Sequence, residues 1–210
     1  MTFAAKPQRP GFTLIELLIV ISLATLLIAL SLSGLQDSML SQRLTGEALQ
    51  LSATIQRARQ YATRDNRPVI LRLLNSTDPA DPASPPAWRG WQLLQRLADG
   101  TPRALEEAHF MEAPLLMHAD PAFTTLFGIL PAQTAAPAQD PPLGTLGTAY
   151  SYVQATVHPD GSNNLPRDPA NPLWSITLHL PTRTAKPGTP GPNYRTLLLD
   201  PFNTRVEVYD

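Results

Sequence analysis

The sequence predicts an α+β protein: one long N-terminal helix laid on an antiparallel β-sheet. Three observations predict it. Residues 11–67 contain no proline, although the chain carries 23 prolines in 210 residues. Apolar residues keep a helical rhythm almost to the end of that segment. Beyond it the chain breaks into short β-like runs between proline-rich loops. A helix set apart from a run of strands fits α+β rather than alternating βαβ units.

The helix begins in an apolar run. From Phe12 to Leu32 only Thr13, Glu16, Ser22, Thr25 and Ser31 are not apolar. As a helix this run spans roughly 31 Å, about the thickness of a hydrocarbon core. A buried core helix would need amphipathic spacing to fit a small domain, and the run has none. A secretory signal peptide shares the basic head and apolar core. Its core is usually shorter and closes on an A-x-A-like site; here "LSLSGLQDS" follows. Lys6 and Arg9 precede the run, so the positive-inside rule keeps residues 1–11 cytoplasmic and exports the remainder.

Helical spacing continues past the run. Leu40, Leu44, Ala48, Leu51, Ile55, Ala58 and Ala62 form one stripe at steps of three and four. Arg57, Arg59, Gln60 and Arg64 lie off it. Asp65-Asn66-Arg67-Pro68 ends the helix, because a residue before proline avoids the helical region. Ser33-Gly34 and Gly46 are the expected weak points, since an interior glycine costs about 1 kcal/mol. The expected organisation is therefore a cytoplasmic N-terminal segment at 1–11, a membrane-spanning helix at 12–33, an amphipathic continuation at 34–66 and a β domain at 67–210.

Within the β domain, "RPVILRLL" (67–74) is β-like and "RGWQLLQRL" (89–97) reads as its partner. Residues 78–88 and 131–147 read as loops, and 108–119 is ambiguous. "AYSYVQATVHPDG" (149–161) alternates and ends in a turn. "LWSITLHLP" (173–181) places Trp174, Ile176, Leu178 and Leu180 on one face and Ser175, Thr177 and His179 on the other. "YRTLLLD" and "TRVEVYD" around "PFN" predict a hairpin.

Composition narrows function. Lys and Arg number 16 against 17 Asp and Glu, so net charge does not drive nucleic-acid binding. With no cysteine, disulfide scaffolds, thiol catalysis and Cys-based zinc sites are excluded. His109, His118, His158 and His179 lack metal-ligand spacing. No nucleophile-elbow motif or phosphate-cradling glycine loop occurs. "DPADP" and "PDGSNN" carry oxygen ligands without the spacing of a known calcium loop. No catalytic residue, metal or cofactor is expected.

The segment "GFTLIELLIVISLATLLIAL" resembles the N-terminus of type IV pilins and type II secretion pseudopilins. "LSATIQRARQYATRDNRPVILRL", "VHPDGSNN" and "YRTLLLDPFNTRVEVYD" are similar to the H-type pseudopilins and the FimT-like minor pilins, while residues 75–148 match nothing in them. The layout also resembles the type D prepilin-like proteins of the Verru/Chthon cassettes. Many members carry a proline near the end of the span; here that neighbourhood reads Ser31-Leu32-Ser33-Gly34.

The resemblance implies a pilin-like fold and a structural subunit. A prepilin peptidase and N-methyltransferase would cut between Gly11 and Phe12 and methylate Phe12. Glu16 would be the acidic fifth residue of the processed chain. A charged acid in hydrocarbon costs a few kcal/mol and needs a partner. Cutting creates a positive amine at Phe12, one helical turn away in the same chain or on a neighbouring subunit, and the family favours the neighbour for assembly. Implied partners are the peptidase, other subunits and the inner membrane. The implied location is a single-pass inner-membrane precursor with a periplasmic C-terminal domain, later a filament.

Two other readings stay open. Arg57, Arg59, Arg64 and Arg67, with Arg72, make a locally basic stretch, and FimT-like relatives include DNA-binding pilins, so a DNA-binding or adhesive subunit at a filament tip is one. A solvated helix face explains the same arginines, since only Tyr61 interleaves for stacking. The other is a membrane-tethered enzyme, against which stands the missing catalytic constellation.

Overall fold

The computed structural model describes residues 13–97, 100–137, 139–167, 173–181, 190–191 and 193–209, with backbone alone at 29–37. Helix α1 spans Leu14–Asp65 without a break, so Ser33-Gly34 and Gly46 do not interrupt it. The chain divides into two compact units, residues 1–42 and 43–210. The first contains the start of α1, whose described apolar side chains are exposed from Leu14 to Ile28.

The second unit is built on the amphipathic part of α1. Leu44, Ala48, Leu51, Ile55, Ala58 and Ala62, six residues of the expected stripe, are each 0% exposed. The helix closes as the sequence indicates. Asn66 takes a positive φ of 49° and the Arg67 N–H bonds to the Ala62 carbonyl at 3.2 Å, the six-to-one bond of a Schellman end.

Strands follow in two antiparallel sheets rather than the single sheet expected. The strands are β1 (Val69–Ser76), β2 (Ala87–Arg96), β3 (Pro102–Ala104), β4 (His109–Phe110), β5 (Leu116–Met117), β6 (Gln133–Thr134), β7 (Ser151–Val157), β8 (Trp174–His179), β9 (Tyr194–Leu199) and β10 (Val206–Tyr209). A short helix α2 (Leu126–Ile129) lies between β5 and β6. The first sheet runs β3-β2-β1-β7-β6, with β4 also pairing β2. The second runs β10-β9-β8-β5. The ambiguous 108–119 segment thus supplies one short strand to each sheet.

Register fixes which side chains share a face. Leu71 pairs with Leu93 and Ala155, and Leu73 with Trp91 and Val153. This face meets α1: the Trp91 indole N–H donates to Thr54 Oγ1 at 3.3 Å and the Gln95 amide to Asp65 at 3.2 Å. The opposite face carries Ile70, Arg72, Leu74, Gln92, Tyr152 and Gln154. Because both faces are covered, β1 is buried almost throughout, which is why its sequence is a continuous apolar run.

The covering of that far face is the segment that reads as a loop in sequence. Ala135, Leu143 and Tyr150 cluster with Leu74 and Tyr152, and Ala108, Phe110 and Leu146 pack against them. Gly90 permits the close approach of β4, because a Cβ there would lie 2.7 Å from the His109 carbonyl oxygen.

In the second sheet, β8 shows the expected alternation. Trp174, Ile176 and Leu178 are buried. The Ser175 and Thr177 hydroxyls donate to the Phe123 carbonyl at 2.8 and 2.7 Å. The β9–β10 hairpin forms at the predicted place, with Leu199 opposite Val206.

Candidate functional site

Gly11, Phe12 and the leader 1–11 lie outside the described residues, and so does Phe12 of the expected span 12–33. Described structure begins at Thr13 and shows how α1 starts. The Glu16 N–H donates to Thr13 Oγ1 at 3.3 Å. The Thr13 N–H and hydroxyl both reach back to Glu16 Oε2 at 3.5 Å. This is a capping box: Thr13 is the N-cap and Glu16 the third helical residue, each satisfying a backbone donor that a helix start leaves unpaired. The Thr-x-x-Glu pattern is visible in the sequence but was hidden by the apolar run around it. The carboxylate therefore has partners within its own chain, before any amine is freed at Phe12.

Behind the cap, Leu14 to Ile28 present an apolar surface; Leu14 is 83% exposed and Ile28 60%. The hydroxyls of Ser22 and Thr25 turn back onto the carbonyls of Leu18 and Ser22, at 2.8 and 2.9 Å, and so leave the surface apolar. Among the described residues no helix is long and apolar enough to cross a membrane; side chains at 29–37, which include 29–33 of the expected span, lie outside them.

The basic stretch separates into different settings. Arg57 is held by both carboxylate oxygens of Glu106 at 3.0 Å, and the Tyr61 hydroxyl donates to the same carboxylate. Arg64 is bound to its neighbour Asp65 at 2.7 Å, which holds the Asp65 carboxyl below the usual carboxylate range. Arg59 and Arg64 share a groove with Arg205, a residue the sequence did not single out. Arg72 does not belong to a solvated helix face at all. It is 3% exposed on β1, and its guanidinium bonds to Asp140 at 2.7 Å. Arg59, Arg64 and Arg67 are exposed, Arg57 is half-buried against Glu106, and Arg72 is set apart from them in the sheet.

The "VHPDGSNN" turn is a junction. Thr63 of α1 donates to the Pro159 carbonyl at 3.1 Å. The Asn163 amide donates to the Asp200 carbonyl at 3.0 Å and to Thr204 Oγ1 at 3.2 Å, while its oxygen accepts from the Leu165 N–H. The Thr204 hydroxyl donates to the Gly161 carbonyl at 2.8 Å. One loop after β7 thus fastens the helix end, the first sheet and the β9–β10 turn. Gly161 takes a φ of 83° there, and a Cβ would come within 3.0 Å of Arg59. Ser162 holds the Asp160 carboxyl below its usual range by hydrogen bonding.

His109 bonds to Glu47 at 2.7 Å and to Gln50 at 3.1 Å. The His118 and His179 rings lie 4.8 Å apart between β5 and β8. Burial, with His118 adding to it, lowers His179 to about 4. Among the described residues no three His, Asp or Glu side chains gather to hold a metal ion.

Residues 7–32 match the family model described as the prokaryotic N-terminal methylation motif. The minor pseudopilin EpsH from the type 2 secretion system of Vibrio cholerae is similar over 80% of this chain and 96% of its own, at 9% identity and a TM-score of 0.42. The type IV minor pilin FimU of Pseudomonas aeruginosa is similar over 80% of this chain and 90% of its own, at 16% identity and a TM-score of 0.40. No curated protein matches the chain.

Proposed function

We propose that this chain, a member of the type IV pilin and pseudopilin family by its N-terminal methylation motif, is a minor pilin or pseudopilin built into a filament of the secretion or pilus type. One observation carries the reading. The methylation motif covers the start of a helix that opens with a capped acid, continues as an exposed apolar surface and ends as the spine of an α+β unit. An exposed apolar surface of this extent marks a membrane or protein contact. The chain enters the inner membrane as a precursor, a prepilin peptidase cuts between Gly11 and Phe12 and methylates the new amine, and the apolar helix then packs among neighbouring subunits. It is the peptidase's substrate and performs no chemistry itself.

The test is processing. The full chain is expressed with a prepilin peptidase and its N-terminus is read by mass spectrometry. Wild type should yield an N-methylated Phe12, and Gly11→Val should yield only the longer precursor. A methylated Phe12 from Gly11→Val, or none from wild type, would sink the reading.

A further inference from the structure

Behind the β2–β3 hairpin, on the face of the first sheet away from α1, lies a cavity of about 340 Å³. Arg72 forms part of its wall. Its Nη2 bonds to Asp140 at 2.7 Å, its Nε donates to Gln154 at 3.2 Å, and its plane lies 3.8 Å over the Tyr152 ring. Its Nη1 is buried without an acceptor among the described residues. A buried donor left in that state is destabilising. Gln133 and Arg96 also line it, Arg96 at its exposed edge. Arg72 and Arg96 set against Asp140 leave one net positive charge in the lining. Burial raises the Tyr150 and Tyr152 phenols, so neither offsets that charge as a phenolate.

We propose that this cavity binds a carboxylate. A carboxylate is a monoanion that balances the lining, and its planar acceptor pair matches a guanidinium edge. It enters past Arg96 and meets Arg72 by a small turn of the guanidinium toward the cavity. Its source is either a free small acid or an acidic side chain or chain terminus of a neighbouring subunit. Only the second source rests on the filament reading above.

The full chain in detergent micelles is titrated calorimetrically with sodium acetate against sodium chloride at equal ionic strength. Two further ligands are N-acetyl-Gly-Gly with a free C-terminus and N-acetyl-Gly-Glu-Gly amide, each against its uncharged counterpart. Saturable acetate binding supports the site. Binding of acetate alone assigns it to small acids; tighter binding of either peptide assigns it to a neighbouring chain. Arg72→Lys should weaken binding about tenfold. Arg96→Gln should weaken it severalfold with an unchanged melting temperature, and decides the matter if Arg72→Lys does not fold. No saturable signal above chloride from any carboxylate, or equal affinity in wild type and both variants, overturns the proposal. Neither outcome bears on Gly11 processing.

Discussion

At the scale of single residues, Glu16 combines two roles that substitution separates. It caps α1 through Thr13, a device worth about 1 kcal/mol, and it carries the charge that the proposed assembly needs. Glu16→Ala removes both. Glu16→Gln keeps a capping acceptor, since glutamine also closes the box, and removes only the charge. Both variants should be cut after Gly11, and both should be missing from sheared filaments. Normal incorporation of Glu16→Gln would show that the cap, not the charge, matters to assembly. The apolar run hid the cap with Thr13, but Glu16 itself, a lone acid in that run, was legible. Arg72 was not: its partner Asp140 is distant in sequence and sits in a stretch that looks like low-complexity loop. Without that partner, Arg72 reads as one more arginine after the helix.

At the scale of elements, the 158–165 loop holds the second unit together. Asn163, at 9% exposure, accepts from the buried Leu165 N–H, which Asn163→Ala would leave unpaired, and is one of two donors to the Asp200 carbonyl, which would keep the Thr204 N–H. The expected loss is about 2–3 kcal/mol in urea unfolding followed by tryptophan fluorescence. A change under 0.5 kcal/mol, within the range of ordinary surface substitutions, would mean the loop is not a fastening. The elements with strict periodicity were the legible ones. The stripe from Leu44 to Ala62 has one buried face, and β8 sets apolar residues on one face and hydroxyls bonded to Phe123 on the other, so each face writes a period into the sequence. Strands β4, β5 and β6 are two residues long and carry no period. The Pro-rich 131–147 segment gave no hint that it covers a sheet, because its apolar residues contact β1 and β7 at irregular intervals.

At the scale of the whole molecule, the second sheet contains an acid-sensitive histidine. Folding lowers His179 from its ordinary 6.5 to about 4, so between these values the unfolded chain binds more protons than the folded one. Stability attributable to His179 is therefore intact above pH 6.5, declines as pH falls through that window and levels off near pH 4. The rings of His118 and His179 adjoin, Asp120 donates its N–H to His118, and Tyr194 lies opposite His179. Urea midpoints at pH 7.5, 5.5 and 4.0 should fall less for His179→Gln than for wild type; parallel curves would discount the His179 effect. The split into two sheets was not legible, because strand partners lie far apart in sequence. That separation also gives the fold a timetable. β1 pairs with β2 across a short loop but waits for β7, with Val69 opposite Val157. During synthesis the helix and the first hairpin emerge together, with one edge of β1 uncovered until β7 arrives. Such late, long-range closure is slow and leaves an apolar strand open to strangers. The nascent chain is therefore most vulnerable in that interval, when a chaperone would have its opportunity.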